Sequence, residues 1–162
     1  MGLRLATIGV YGWAEDAFFS ALVDARVDLF CDIRSRRGVR GSTYAFVNST
    51  KLQEKLRSLG IGYRHFRELA PSDQARAAQH RHDALHGFGK RSREVLGPAF
   101  IEAYQAERLN DLDVDGFLES LGPAIQTAAF FCVERDAAAC HRSLLAQKIA
   151  NSHSLGVIHL TP

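Results

Sequence analysis

FFCVERDAAACHRSLL, residues 130–145, joins an apolar run to the start of a helical pattern through a short polar turn. The apolar run predicts a buried strand, and the Ser-Leu-Leu that follows Cys140-His141-Arg142 predicts a helix directly after the turn. A strand, a turn and a helix in this order are typical of open α/β sheets, in which ligands bind at the carboxyl ends of the strands. The stretch therefore predicts an α/β fold and also the edge of the sheet at which a site lies.

Further strand and helix patterns extend outward from this stretch. Near the N-terminus a strand over 3–8, a helix over 14–25 and a strand over 27–33 predict a β-α-β unit. The second strand is almost continuously apolar, which suits a sheet that is covered on both faces. Further helices are predicted over 48–59, 98–109, 115–121 and 140–150, and further strands over 61–66, 127–134 and 156–160. The pattern predicts a three-layer α/β/α sandwich with a mostly parallel central sheet of about five strands.

Length and composition favour one domain that spans residues 1–162. A chain of 162 residues with 46% hydrophobic residues is long enough for one proper core and short for two. The net charge of +2 permits an anionic partner without requiring one. Three cysteines do not form a disulfide framework, which favours a reducing cytoplasm. The opening residues predict a strand rather than a signal peptide, and the apolar runs are too short to span a membrane.

The segment 70–97 differs from the rest of the chain in its weak apolar pattern. It contains His80, His82 and His86 together with several arginines and Lys90. The segment predicts an exposed helix followed by a mobile Gly-Phe-Gly loop, and this basic, His-rich insertion can act as a lid over a site. His82 and His86 can share one helix face, but a solvated basic face is the preferred interpretation because no adjacent catalytic glutamate accompanies them.

Several motifs spread over nearly the whole chain resemble the uncharacterised DUF488 family. The motifs are Thr7-Ile8-Gly9, Asp32-Ile33-Arg34, Leu59-Gly60-Ile61-Gly62-Tyr63, Cys132-x-Glu134-x5-Cys140-His141-Arg142 and the final Gly-Val-Ile-His-Leu. The resemblance implies a compact α/β fold and a site around the Cys-His-Arg motif, with no assigned activity. The chain departs from the commonest family pattern at two places. Val10-Tyr11 follows Gly9 where many members have His-Ser, and Arg36-Arg37-Gly38 stands where a proline often follows the Asp-Val-Arg stretch. Any role that this histidine or this proline has in other family members is therefore not assigned to this chain.

Four residues are candidates for catalysis. Glu134 and Asp32 are carboxylates at the ends of predicted buried strands, where an acid is normally paired or functional, so each is a candidate acid/base. Cys140 lies where a helix N-terminus lowers a thiol pKa, which makes it a candidate nucleophile, and His141 is a candidate proton carrier. The alternatives are packing for Cys140, a capping role for His141 and a structural salt-bridge network for the acids. Cys132 is predicted to be a core thiol.

Arginines dominate the predicted ligand-binding residues. Arg142 opens a helix, where a positive charge opposes the helix dipole, so a carboxylate or an anionic ligand is expected to face it. Arg34 and Arg37 belong to a basic loop, 34–40, that follows a strand end. The remaining predicted ligand-binding residues are Tyr11, Asn48 and His65. Anion binding is the functional interpretation of the basic loop, and solubility with local mobility is the alternative.

The sequence predicts no cofactor and no metal. Cys132, Cys140, His141, His153 and His159 are all of zinc-ligand type. The Cys-x7-Cys interval lacks the short chelating spacing of zinc knuckles and ribbons, one cysteine is predicted in mid-strand, and no fourth ligand is evident. Packing and non-metal chemistry are therefore preferred for these residues.

The predicted function is that of an enzyme for hydrolysis or group transfer. Its expected partner is an anionic small molecule or a nucleic acid, and specifically a phosphate-bearing ligand such as a nucleotide or a nucleic-acid end in a crevice at the strand C-termini. One alternative is a non-catalytic nucleic-acid-binding module that uses the basic segments. Another is a small-molecule enzyme whose arginines hold a carboxylate substrate. The sequence does not favour any particular oligomeric state.

Overall fold

Five parallel strands form a single sheet in the computed structural model, which describes residues 2–89 and 91–162. The strands are β1 (Arg4–Ile8), β2 (Leu29–Asp32), β3 (Gly62–His65), β4 (Thr127–Phe131) and β5 (Val157–Leu160). Their order is β3-β2-β4-β1-β5, and each neighbouring pair is parallel. The predicted α/β class with a mostly parallel sheet is confirmed. β4 ends at Phe131, three residues before the predicted end at Glu134.

Helices cover both faces of this sheet. They are α1 (Glu15–Asp24), α2 (Ser49–Ser58), α3 (Asp73–His86), α4 (Pro98–Tyr104), α5 (Val114–Leu121) and α6 (His141–His153). A π-helical turn, Gln105–Leu109, continues α4, and short 3₁₀ turns occupy Ala45–Val47, Arg67–Leu69 and Ala137–Ala139. No helix within the described ranges is both long enough and apolar enough to cross a membrane. Because the π-helical turn Gln105–Leu109 directly continues α4, the two together correspond to the predicted helix at 98–109.

The core consists of two apolar layers that the sheet separates. Successive residues of a strand point to opposite faces, so Phe130 packs towards α4, α5 and α6, while Phe131 packs towards α1 and α2. Both phenylalanines are fully buried, and all five residues of β4 are buried. Burying a phenylalanine side chain contributes about 1.5–3 kcal/mol. The continuous apolar character of β4 thus follows from its central place between two helical layers, as expected for a three-layer sandwich.

The strand order places a crevice at the carboxyl edge of the sheet. From β1 the chain crosses β4 to reach β2, whereas from β4 it crosses β1 to reach β5. The two connections leave the adjacent strands β1 and β4 in opposite directions, which makes the ends of these strands a topological switch point. In the sheet register, Phe131 is the partner of both Ile8 and Asp32. The segments that follow β1, β2 and β4 therefore begin side by side.

Candidate functional site

A cleft of about 690 Å³ opens at this carboxyl edge. Residues that follow β1, β2 and β4 form its floor and one wall, and residues of α3 and of the segment that leads into α4 line the other wall. Five of the residues predicted from sequence line it together: Tyr11, Arg34, Glu134, Cys140 and His141. The tertiary structure therefore brings the predicted catalytic and binding residues from three strand ends into one concavity.

Cys132, Cys140 and His141 form a cysteine–histidine cluster on the floor of the cleft. Cys132 lies one residue beyond β4, and the loop with its 3₁₀ turn returns the chain so that Cys140 comes back beside it. The Cys140 Sγ atom is 3.6 Å from His141 Nδ1, and the two sulfurs and one imidazole nitrogen all lie within 4.8 Å of one another. Cys132 is buried, as predicted, but it also lines the cleft.

Electrostatics in the cluster favour charged forms of Cys140 and His141. Burial raises the pKa of the Cys140 thiol, but the hydrogen bond with Cys132 and the positive charges of His141 and Arg142 outweigh burial and hold this pKa well below its usual value. Burial lowers the pKa of His141, and the neighbouring Cys140 charge outweighs it, so the pKa of His141 is raised. His141 Nε2 is 3.1 Å from the Ile33 carbonyl oxygen and donates to it, because a carbonyl oxygen only accepts.

Glu134 lies at the floor beside the cluster, 7% exposed. Its Oε2 atom accepts a hydrogen bond of 3.2 Å from the Cys132 thiol, and its Oε1 atom is 3.5 Å from an Arg93 guanidinium nitrogen. Arg93 is held in turn by Asp83 of α3 through hydrogen bonds of 2.8 and 3.0 Å to Asp83 Oδ2. Gln79, one turn earlier on α3, donates to Asp83 Oδ1 at 2.7 Å. A buried polar chain therefore runs from α3 to the carboxylate of Glu134.

At the end of β2, Asp32 and Arg34 form a buried salt bridge. Arg34 Nε and Nη2 donate to the two Asp32 carboxylate oxygens at 2.9 and 2.7 Å, and the Tyr63 hydroxyl donates to Asp32 Oδ2 at 2.7 Å. The guanidinium also stacks 4.7 Å from the Phe131 ring centre. Asp32 is fully buried and does not line the cleft, whereas Arg34 does. Asp32 thus orients Arg34, and its predicted acid/base role stays a prediction.

Arg142 fixes the loop that carries the cluster. Its guanidinium donates to the Glu134 and Arg135 carbonyl oxygens at 2.6 and 3.0 Å, and its side chain is 1% exposed. Gly9, just after β1, passes so close to the Glu134 carbonyl that a Cβ atom at this position would overlap it. Arg142 does not line the cleft. Its position supports a structural tether, and direct ligand binding by Arg142 stays a prediction.

Three other predicted binding residues, Arg37, Asn48 and His65, support the arginine loop from outside the cleft. Asn48 Oδ1 accepts a hydrogen bond of 2.7 Å from the Val39 backbone N–H, and His65 Nε2 donates to the Arg34 carbonyl at 2.7 Å. The Arg37 carbonyl accepts from the Ser49 backbone N–H at the start of α2. These contacts shape residues 34–40, and the ligand contacts predicted for the three side chains stay predictions.

The family model for the domain of unknown function DUF488 matches residues 15–149, which include all of the cluster, Glu134 and both strand-end arginines, Arg34 and Arg142. The chain belongs to the DUF488 family. No curated protein and no solved structure gives a significant match. The family assignment therefore confirms the resemblance found from the motifs and brings no activity with it.

In this DUF488 chain, the sequence analysis missed the contribution of α3 to the site. Ala75, Gln79 and Asp83 are buried on one face of α3, so the prediction of an exposed helix is wrong for that face. Their spacing of four residues was a usable signal, but two of the three are polar and broke the apolar pattern. Arg93 and Arg91 also reach the cleft from the predicted insertion. Lys90 lies outside the described residues, and the mobility and lid role of the segment stay predictions.

Replacing Asp83 by alanine is expected to lower the free energy of unfolding by about 3 kcal/mol, because Arg93 then stays buried without its main carboxylate partner. Urea denaturation measures the change. The matched control is Asp111→Ala, which removes an exposed carboxylate and is expected to change stability by less than about 0.5 kcal/mol. Equal effects of the two substitutions would contradict the buried pairing of Asp83 with Arg93.

Proposed function

We propose that this DUF488 protein is an enzyme that binds a phosphate-bearing ligand, such as a nucleotide or a nucleic-acid end, in the cleft and catalyses hydrolysis or group transfer there. The observation that carries the proposal is the excess of arginines over acids around Glu134. Among the residues that the structure describes, six arginines and two carboxylates, Asp73 and Glu134, line the cleft. The arginines are Arg34, Arg36, Arg40, Arg76, Arg91 and Arg93.

Not all of these arginines are neutralised by neighbouring acids. Arg36, Arg40 and Arg91 have no ion pair with an acid within the described part of the chain. The other three are paired: Arg34 with Asp32, Arg76 with Asp73 and Arg93 with Asp83. Arg34 is 3% exposed, and its Nη1 atom has no hydrogen-bond partner within the described part of the chain. An unused buried donor costs about 1–3 kcal/mol, which a ligand oxygen can offset. A guanidinium fork matches the geometry of phosphate oxygens, so these arginines support a phosphate-bearing ligand.

Aromatic side chains beside the arginines support a ligand that also carries a base. The Tyr11 and Tyr44 ring centres are 5.2 Å apart, and the Arg91 guanidinium lies 5.2 Å from each of them. Tyrosine rings and arginine planes are the surfaces on which nucleobases stack in single-strand-binding sites. Their place next to the basic loop favours a nucleotide or a nucleic-acid end over a simple phosphate.

Glu134 is the acid/base of the proposal. Its carboxylate lies on the cleft floor among the arginines, where a bound phosphate group would face it. Hydrolysis and group transfer both require a proton to move at the attacking or leaving oxygen, and a positioned carboxylate contributes typically about 10²–10⁴-fold to such a step. The nucleophile and proton-carrier roles of Cys140 and His141 stay predictions within this proposal.

A thermal-shift panel of nucleotides, phosphosugars and carboxylates tests the binding part of the proposal. A specific phosphate-bearing ligand at a hundred times its Kd is expected to stabilise the protein by about 2.7 kcal/mol. Arg40→Gln is expected to weaken that ligand by about tenfold. The control, Arg57→Gln, changes an exposed arginine on α2 outside the cleft and leaves the affinity unchanged. Stabilisation by carboxylates alone would favour the carboxylate enzyme instead.

Turnover of the ligand found in the panel separates an enzyme from a binding module. Glu134→Gln is expected to retain binding and to lose about 10²–10⁴-fold in rate. A non-catalytic nucleic-acid module would tolerate the substitution and would lose affinity steeply and linearly with the logarithm of salt concentration. An unchanged rate in Glu134→Gln contradicts the proposed acid/base.

A further inference from the structure

We propose that Cys132, Cys140 and His141 bind a zinc ion on the floor of the cleft, with the fourth coordination position facing the cleft. Three protein ligands and one open position are the arrangement of catalytic zinc sites, whereas structural sites have four protein ligands. The proposal does not depend on the identity of the anionic ligand. It rests on the separations, orientation, burial and chemistry of the three side chains.

The separations within the cluster fit a tetrahedral zinc site. Zinc–sulfur bonds of about 2.3 Å and zinc–nitrogen bonds of about 2.0–2.1 Å place a sulfur and a nitrogen ligand about 3.6 Å apart and two sulfurs about 3.8 Å apart. The Cys140 Sγ to His141 Nδ1 distance is 3.6 Å. All three donor atoms lie within 4.8 Å of one another, so the widest pair needs to approach by no more than about 1.2 Å.

The orientation of His141 also suits a ligand. Its Nε2–H donates to the Ile33 carbonyl oxygen at 3.1 Å, which directs the other ring nitrogen, Nδ1, towards the sulfurs. Metal-binding histidines commonly donate their second ring N–H to a backbone carbonyl, and this contact fixes the tautomer and the ring plane.

Burial favours a metal ligand over a thiol that attacks substrate directly. Cys132, Cys140 and His141 are 6, 1 and 3% exposed, yet all three line the cleft. A small ion reaches donors at this depth, whereas a nucleophilic sulfur must contact the reacting atom of a larger substrate. Two thiols and an imidazole are soft and borderline ligands that select zinc over magnesium or calcium. Cys140 is therefore assigned as a ligand.

The spacing objection to zinc does not hold in the folded chain. Short chelating intervals are needed when two ligands come from one turn, but here Cys132 follows β4 and Cys140 precedes α6. The intervening loop returns to its starting point, and Arg142 holds it there through the Glu134 and Arg135 carbonyl oxygens. The fold of the loop therefore brings the Cys132 and Cys140 sulfurs close together even though seven residues separate them in sequence.

Metal analysis of the full-length protein, purified without chelators, tests the site. We expect about one zinc per chain and, after exchange with Co²⁺, the absorption of a sulfur-to-cobalt charge-transfer band. Cys132→Ser and Cys140→Ser are each expected to lower zinc affinity by more than about 100-fold, since loss of outer-shell partners alone costs about 10–100-fold. The control is Cys31→Ala, because Cys31 is a buried core cysteine on β2 outside the cluster, and this variant keeps the metal.

Thermal unfolding of the wild-type protein keeps the test decisive if a serine variant fails to fold. Removal of zinc with a chelator is expected to lower the unfolding midpoint, and added Zn²⁺ is expected to restore it. Absence of zinc in the folded protein, together with no cobalt–sulfur absorption, overturns the proposal. Arg40→Gln is expected to keep its zinc, so a failed metal test and a failed anion-binding test are distinguishable.

Discussion

Gly9→Ala is expected to lower the free energy of unfolding by more than about 4 kcal/mol. A Cβ atom at residue 9 would overlap the Glu134 carbonyl oxygen, which is a backbone atom and not the end of a flexible side chain. The Arg142 guanidinium holds the same carbonyl at 2.6 Å, so the loop has little freedom to move away. Overpacking of this kind has no rotamer change that relieves it.

Urea denaturation of Gly9→Ala and Gly156→Ala measures this effect against a matched change. A Cβ atom at Gly156 meets no other atom within 4 Å, so its substitution is expected to change stability by less than about 0.5 kcal/mol. If Gly9→Ala expresses as a folded protein within about 1 kcal/mol of wild type, the close approach of Gly9 to the Glu134 carbonyl is not present in solution.

Arg142→Met is expected to lower the free energy of unfolding by about 4 kcal/mol. Methionine occupies much of the same buried space but donates no hydrogen bond, so the Glu134 and Arg135 carbonyl oxygens lose their guanidinium donors. Each buried acceptor left unsatisfied costs about 1–3 kcal/mol. The control Arg57→Met makes the same change on the exposed side of α2 and is expected to cost less than about 0.5 kcal/mol.

The same Arg142 substitution separates a structural tether from a ligand contact. If Arg142 only tethers the loop over residues 132–140, its loss lowers the stability strongly. The affinity for a phosphate-bearing ligand then falls by less than about tenfold, because Arg142 does not line the cleft. Calorimetric titration of the folded variant, at a temperature well below its unfolding transition, measures this affinity. A loss of more than about 100-fold with little change in stability would instead support direct ligand binding by Arg142.

Apolar periodicity was sufficient to predict most of the fold. The continuous apolar residues of β4 identified a central strand, and the alternation of strand and helix patterns predicted the parallel sheet. The strand ends also predicted that Asp32, Arg34, Glu134, His141 and Arg142 would line one crevice, since parallel strands deliver their following residues to one edge. Of these residues, Arg34, Glu134 and His141 line the cleft, whereas Asp32 and Arg142 do not. The successful predictions depend on residues that are close in sequence or on a general rule for parallel sheets.

Contacts between distant segments were outside the reach of sequence patterns. Gln79 and Asp83 were assigned to a solvated helix, because their four-residue spacing does not reveal the burial of polar side chains until the partner, here Arg93, is known. The same limitation applied to Arg142, whose awkward charge at a helix start is explained by carbonyl acceptors rather than by an acid or a ligand.

The sequence of residues 130–145 by itself determined that a strand, a turn and a helix place acidic, thiol, imidazole and guanidinium side chains at one edge of an α/β sheet. Only the tertiary structure decided which of these side chains line the cleft and which contact the backbone of the loop. It placed Cys132, Cys140 and His141 in one buried cluster, turned Arg142 to the loop backbone and supplied Arg93 from a remote segment. The physical reason is that period and propensity act over a few residues, whereas a loop closure and a buried ion pair are fixed by the packing of the whole domain.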